Sequence, residues 1–287
     1  MAAIWGINFP VIKASLDFIP PLGFNALRFF LAGLTVFLIL RLRGPLPSPD
    51  SKDWPRIVAL GLLGNLVYQG FFIFGVNATL AGNASILLAT IPVWTPAFSV
   101  LRGHERPGIK VWLGILATLA GMVLVVFGSG EAMGLDPATL RGDLLIIGAA
   151  LTWSLYTVGS RGLVRKYGSI PLTAWTLWIG CIGLVAVGIP SLAELPLREV
   201  PTLAWAGVAY SGILAVGLAY ILWYRGVQQI GSSRTAAYTN LTPVIALVVA
   251  WAWLGEAPGV LQVTGATVIL AGLTLARLGR ERGSGSR

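Results

Sequence analysis

The sequence predicts an all-α integral membrane protein: ten transmembrane helices, arranged as two inverted five-helix repeats around a central cavity. Three observations carry that expectation. Apolar residues fill 56% of the 287 positions and charged residues only 11%. Ordinary soluble domains have about 25% charged residues, so too little polar surface is present here to face water. The apolar residues also fall in runs long enough to cross a bilayer. Finally, the second half of the chain repeats landmarks of the first at a nearly constant offset. A mean hydropathy of +0.80 excludes a disordered chain by the same reasoning.

A membrane-crossing helix needs about 20 mostly apolar residues, and unpaired backbone groups are not tolerated in lipid. Ten such runs occur, at roughly 2–18, 22–42, 56–75, 81–101, 108–128, 142–160, 170–190, 202–225, 233–254 and 259–277. Alternation at period two is absent, which argues against an outer-membrane barrel. The first run begins almost at Met1, consistent with a trimmed N-terminus. It does not read as a cleaved signal peptide, because it lacks a basic n-region and carries Asn8 and Lys13. Residues 278–287, rich in Gly, Ser and Arg, are expected to form a mobile cytoplasmic tail.

The net charge of +9 invites a nucleic-acid reading. The positions of the charges argue against it. With ten spans, 16 of the 20 Lys and Arg fall on the side of both termini and of the loops after spans two, four, six and eight. The remaining four are Lys13, Arg28, Arg141 and Arg198. The positive-inside rule then puts both termini in the cytoplasm of a multi-pass inner (plasma) membrane protein. Arg28, near the start of span two, is expected to snorkel outward.

The halves repeat. Gly75, Pro92, Glu105, Pro107, Gly114 and Gly121 recur as Gly226, Pro243, Glu256, Pro258, Gly265 and Gly272, each 151 positions on. Trp5 and Gly6 align with Trp153 and Ser154 at an offset of 148. The first repeat is expected over 1–130 and the second over 142–277. Five spans is an odd number, so the second copy must lie upside down. Inverted repeats are the architecture of many secondary transporters, because two like halves can exchange conformations and alternate access.

Candidate site residues follow from faces and from repeat equivalence. Asn65, Tyr68, Gln69 and Phe72 share one face of span three. That face must turn inward, toward a cavity or into interhelical hydrogen bonds. Trp5 and Asn8 in span one match Trp153 and Tyr156 in span six, either as inward groups or as an interfacial belt. Trp94 in span four, Tyr238 in span nine and Tyr220 in span eight add aromatic surface. Pro92 and Pro243 each remove a backbone hydrogen bond and are candidate hinges, or static kinks. Lys13 can meet a substrate carboxylate, snorkel, or pair with Asp17. The small rows Gly114, Ala117, Gly121 and Gly265, Gly272 let helices approach, as scaffold or as a homodimer face.

Taken together, Trp5-Gly6-Ile7-Asn8-Phe9, Trp153-Ser154-Leu155-Tyr156, Glu105, Leu254-Gly255-Glu256 and the Gly and Ala rows of spans five and ten resemble a known family. It is the ten-helix EamA-type transporters of the drug/metabolite transporter superfamily, and within it the YddG-type amino-acid and metabolite exporters. The resemblance implies a small-molecule carrier in contact with lipid. His104 departs from the usual residue before the first repeat's glutamate.

No catalytic dyad stands inside the spans, and no enzyme activity is expected. One cysteine, Cys181, and one histidine, His104, exclude a disulfide framework and a multi-His or Cys metal centre. No cofactor is expected. No P-loop is present, so the chain carries no ATP motor. All 11 acidic residues fall at span ends, in loops or in the tail, which disfavours a carboxylate proton relay. The alternatives are a facilitative channel or an exporter of organic cations, since aromatic faces attract cations.

Overall fold

The computed structural model describes residues 1–44, 46–79, 81–104, 107–128, 137–249 and 258–279, and all regular structure among them is helical. Glu105 and Glu256 lie outside the described residues, as does the tail beyond Gly279.

In chain order the helices are α1 (Ala2–Leu16), α2 (Pro21–Arg43), α3 (54–78), α4 (81–101), α5 (Ile109–Gly128), α6 (Pro137–Tyr167), α7 (Ser169–Ala193), α8 (202–230), α9 (232–249) and α10 (Val260–Leu278). Six stretches among the described residues are long and apolar enough to cross a membrane: Pro21–Leu42, Ser51–Ala78, Ile109–Gly128, Leu140–Tyr167, Ser169–Ala193 and Thr202–Ile230. α6 runs further at both ends than its apolar run predicts, because polar and basic residues such as Arg161, Arg165 and Lys166 still propagate a helix.

Glycine and proline set the boundaries. Pro21 opens α2, where its missing N–H is no loss. Gly168 and Gly231 separate α6 from α7 and α8 from α9, with φ of 89° and 87° that side-chain-bearing residues rarely adopt.

Four helices are not uniform. α3 contains a widened π turn at Leu62–Val67, and α8 contains one at Tyr210–Leu218. α4 is broken into Ala81–Leu88 and Ile91–Leu101, and α9 into Ser232–Ala237, a 3₁₀ turn at Tyr238–Leu241, and Thr242–Val249. Pro92 and Pro243 are each the second residue of the later piece. Prolines inside one long apolar run are expected to bend a continuous helix. Instead each follows a break and begins a fresh helical piece, a position where proline costs no hydrogen bond.

Side-chain burial defines the faces. On α2, Asn25, Arg28, Phe29, Ala32 and Val36 are buried while Phe30, Leu34, Phe37 and Leu38 are exposed. That exposed stripe is apolar, as contact with lipid requires, and ends at the exposed Arg41. α5 and α10 run antiparallel and pack closely. A Cβ on Gly114 would lie 2.5 Å from the Gly272 carbonyl oxygen, and one on Gly121 would lie 2.6 Å from that of Gly265. The glycine rows are therefore scaffold, and the absence of side chains is what permits the approach.

Candidate functional site

The interior is organised around Trp153 on α6. Its ring centroid lies 4.8 Å from Tyr68, 5.1 Å from Tyr220, 5.4 Å from Trp223, 5.5 Å from Tyr156 and 6.1 Å from Trp5. Tyr68 stacks on Phe72 at 5.8 Å, and Tyr156 meets Tyr224 edge-on at 5.6 Å. Rings at these separations attract beyond their burial alone. Trp153, Tyr156, Tyr220, Trp223 and Tyr224 are all buried, so they form an interior hub rather than an interfacial belt.

Local backbone makes the hub possible. The inward face of α3 carries Asn65, Tyr68, Gln69 and Phe72, and Asn65 falls within the π turn. Gly64, in the same turn, lies flat against the Tyr156 ring: an added Cβ would come within 2.3 Å of it. Gly180 on α7 likewise admits Asn65.

Two polar networks border the rings. In the first, Asn65 Nδ2 donates to the Thr176 carbonyl oxygen at 3.0 Å, and Tyr156 OH and Thr176 Oγ1 lie 3.0 Å apart. In the second, Gln69 Nε2 donates to Tyr220 OH at 2.9 Å, while Gln69 Oε1 accepts from Arg28 Nη2. Arg28 also donates through Nε to Asn25 Oδ1 at 2.8 Å and through Nη1 to Ser211 Oγ at 3.2 Å. The expectation that Arg28 snorkels outward is overturned. It is 1% exposed, held inward by three acceptors and by the Phe24, Phe29 and Phe72 rings.

The structure thus brings together Trp5, Tyr68, Gln69, Phe72, Trp153, Tyr156 and Tyr220. Asn8 is buried, and its Oδ1 accepts no hydrogen bond among the described residues. Trp5 Nε1 donates to the Ala215 carbonyl oxygen at 2.8 Å, which fixes α1 against α8. Trp94 is half-buried beside the same core, and its Nε1 donates to Thr90 Oγ1 at 3.1 Å, at the break in α4. Lys13 is not brought to the hub; it is exposed on α1, as is Asp17 just beyond the helix. Tyr238 lies elsewhere, lining a cavity of about 400 Å³ with Ile230, Arg234, Ala237, Leu273 and Ala276.

Arg28, Asn25, Ser211, Trp223 and Tyr224 complete the interior, and none of the five is among the candidate site residues named from the sequence. A sequence signal was available for Asn25 and Arg28. Asn25 and Arg28 are spaced i, i+3 on a helix whose other face is continuously apolar, a pattern that turns both inward.

A bundle of apolar helices that encloses polar and aromatic side chains defines a multi-pass membrane protein. The chain belongs to the EamA-like transporter family, whose sequence model matches it at residues 1–127 and again at 140–278. Members of that family, within the drug/metabolite transporter superfamily, are transporters rather than enzymes, and a small-molecule substrate follows. The chain is 31% identical over 273 residues to the uncharacterized transporter YdfC of Bacillus subtilis (strain 168), covering 95% of this chain and 87% of that one. It is 26% identical over 283 residues to a protein of Streptantibioticus cattleyicolor named a probable terminal-alkyne amino-acid exporter, covering 97% and 92%. A solved crystal structure superposes with a TM-score of 0.79 at 21% identity, covering 96% of each chain, and so shares the fold.

Proposed function

We propose that this chain is a secondary transporter that exports neutral and aromatic amino acids and related small metabolites by alternating access. In this reading each of α1–α10 crosses the plasma membrane and both termini are cytoplasmic. The two five-helix halves lie in opposite orientations, and the substrate passes between them at the Trp153 hub.

The observation that carries the reading is that the hub pairs repeat-equivalent residues across the two halves. Trp5 contacts Trp153, its equivalent at offset 148, and Gln69 bonds Tyr220, its equivalent at offset 151. Gly114–Gly272 and Gly265–Gly121 are equivalent contacts as well, made by antiparallel helices. A two-fold relation of that kind lets one half adopt the conformation of the other, which is what alternating access needs. The breaks before Pro92 and Pro243 fall at equivalent positions and are the proposed bending points. The cavity beside Tyr238 and Arg234 is the proposed cytoplasmic mouth.

The aromatic hub suits an amphiphile with an apolar side chain, and the name of the Streptantibioticus relative points to amino acids. Arg28 in the same interior weighs against organic cations, which it would repel. Asp143, a buried acid, sits at the outer end of α6 and accepts from Thr79 Oγ1, away from the hub. Transport therefore needs no carboxylate proton site.

The test is uptake into proteoliposomes of Thr, Met, Lys, Glu and the aromatic amino acids, without an imposed proton gradient. Saturable uptake of a neutral or aromatic amino acid supports the reading. Strict dependence on a proton gradient, or no uptake of any of these solutes, contradicts it.

A further inference from the structure

We infer that Arg28 is the anchor for a substrate carboxylate, which rests on the transporter reading above and narrows its substrates to small carboxylate-bearing amphiphiles. The guanidinium is buried among α2, α3 and α8, and every group it touches is neutral: Asn25 Oδ1, Ser211 Oγ, Gln69 Oε1 and the faces of Phe24, Phe29 and Phe72. Among the described residues no carboxylate meets it. A cation buried in a membrane interior normally pairs with an anion or serves a ligand.

The geometry suits the second role. A guanidinium carries five N–H donors in a planar fork, matched to the two oxygens of a carboxylate. Three donors are engaged here, each by an oxygen that a carboxylate oxygen outcompetes as an acceptor. Two of the three acceptors, Gln69 and Ser211, come from α3 and α8, one in each half of the chain. Gln69 also bonds Tyr220 of α8. Movement of α8 away from α2 and α3 breaks the Ser211 and Tyr220 contacts together and uncovers the fork.

Arg28 and the hub share Phe72. Its ring lies 5.8 Å from the Arg28 Cζ and stacks on Tyr68, which in turn meets Trp153. A molecule with its carboxylate on Arg28 can lay an apolar side chain along Tyr68 toward Trp153. The same carboxylate can belong to an amino acid or to a simple organic acid.

The experiment is competition against uptake of labelled phenylalanine and labelled methionine by the wild-type chain in proteoliposomes. The competitors are each amino acid, its amide, its methyl ester and, for phenylalanine, 3-phenylpropionate. The free acids should compete at least tenfold better than the amides and esters. Competition by 3-phenylpropionate supports the carboxylate as the sole determinant; its failure, with the amides and esters still excluded, supports it with the amino acid as the source. Arg28→Gln should lose uptake tenfold or more, and Arg28→Lys should lose less. Phenylalanine should quench tryptophan fluorescence of the wild type in detergent, and its amide should not. Amides and esters competing within twofold of the acids overturn the inference and leave the transporter reading standing. If the wild type carries neither amino acid nor any other solute of the panel, both fall together. The competition arm uses only wild-type protein, so misfolding of an Arg28 variant does not blunt it.

Discussion

Gln69 and Tyr220 stand 151 positions apart in the chain and hydrogen-bond to each other, Nε2 to OH, at 2.9 Å in the buried interior. The bond ties α3 to α8 and stands between the Arg28 network and the Trp153 hub. Tyr220→Phe removes the acceptor and leaves the Gln69 donor buried and unpaired. Hydrogen bonds between membrane helices couple by about 0.6 kcal/mol on average, with larger costs where a donor is stranded. The expected result is a lower melting temperature in detergent and reduced uptake. A double-mutant cycle with Gln69→Leu should return a coupling of about 0.5–1.5 kcal/mol.

Tyr68 and Trp94 test the aromatic site from two sides. Tyr68→Ala removes a ring that contacts both Trp153 and Phe72. Trp94→Ala removes the ring bonded to Thr90 at the break in α4. Each should cut amino-acid uptake at unchanged expression, and Tyr68→Phe, which keeps the ring, should cut it less. Uptake per molecule in proteoliposomes checks this.

Packing at the α5–α10 crossing is expected to be unforgiving. Gly121→Leu places a side chain where even a Cβ would lie 2.6 Å from the Gly265 carbonyl oxygen. Overpacking costs about 1–3 kcal/mol, or more where backbone must move. Gly70→Ala is the matched control, because nothing lies within 4 Å of its added Cβ. Thermal unfolding in detergent should show a large loss for the first and little change for the second.

Lys166 at the end of α6 bonds Asp50 and Asp53, at 2.5 and 2.6 Å, and so holds the segment before α3. The three side chains are at least partly exposed. Lys166→Ala should lower the melting temperature slightly at low salt. The difference should vanish at about 1 M salt, where screening acts within about 3 Å.

Much of the site is readable from local pattern alone. The inward face of Asn65, Tyr68, Gln69 and Phe72 follows from helical spacing, and the match of Trp5 with Trp153 follows from the repeat. Arg28 is not readable in that way. Its position near the start of α2 suggests an easy escape to water, and only the meeting of α2, α3 and α8 supplies Asn25, Gln69 and Ser211 to hold it inside. The π turns are equally hidden, because Leu62–Val67 and Tyr210–Leu218 look like ordinary apolar helix. The broken helices fall between these cases. Pro92 and Pro243 mark the right places, yet composition does not tell a kink within a helix from a fresh start.

If two like halves lie in opposite orientation and a solute passes between them, positions 105 and 256 face opposite sides of the membrane. Glu105→Cys and Glu256→Cys, each as the single cysteine in a Cys181→Ser background, test this with a membrane-impermeant thiol reagent on intact and opened cells. Position 256 should react in intact cells and position 105 only after opening. Reaction of both positions from the same side would contradict it.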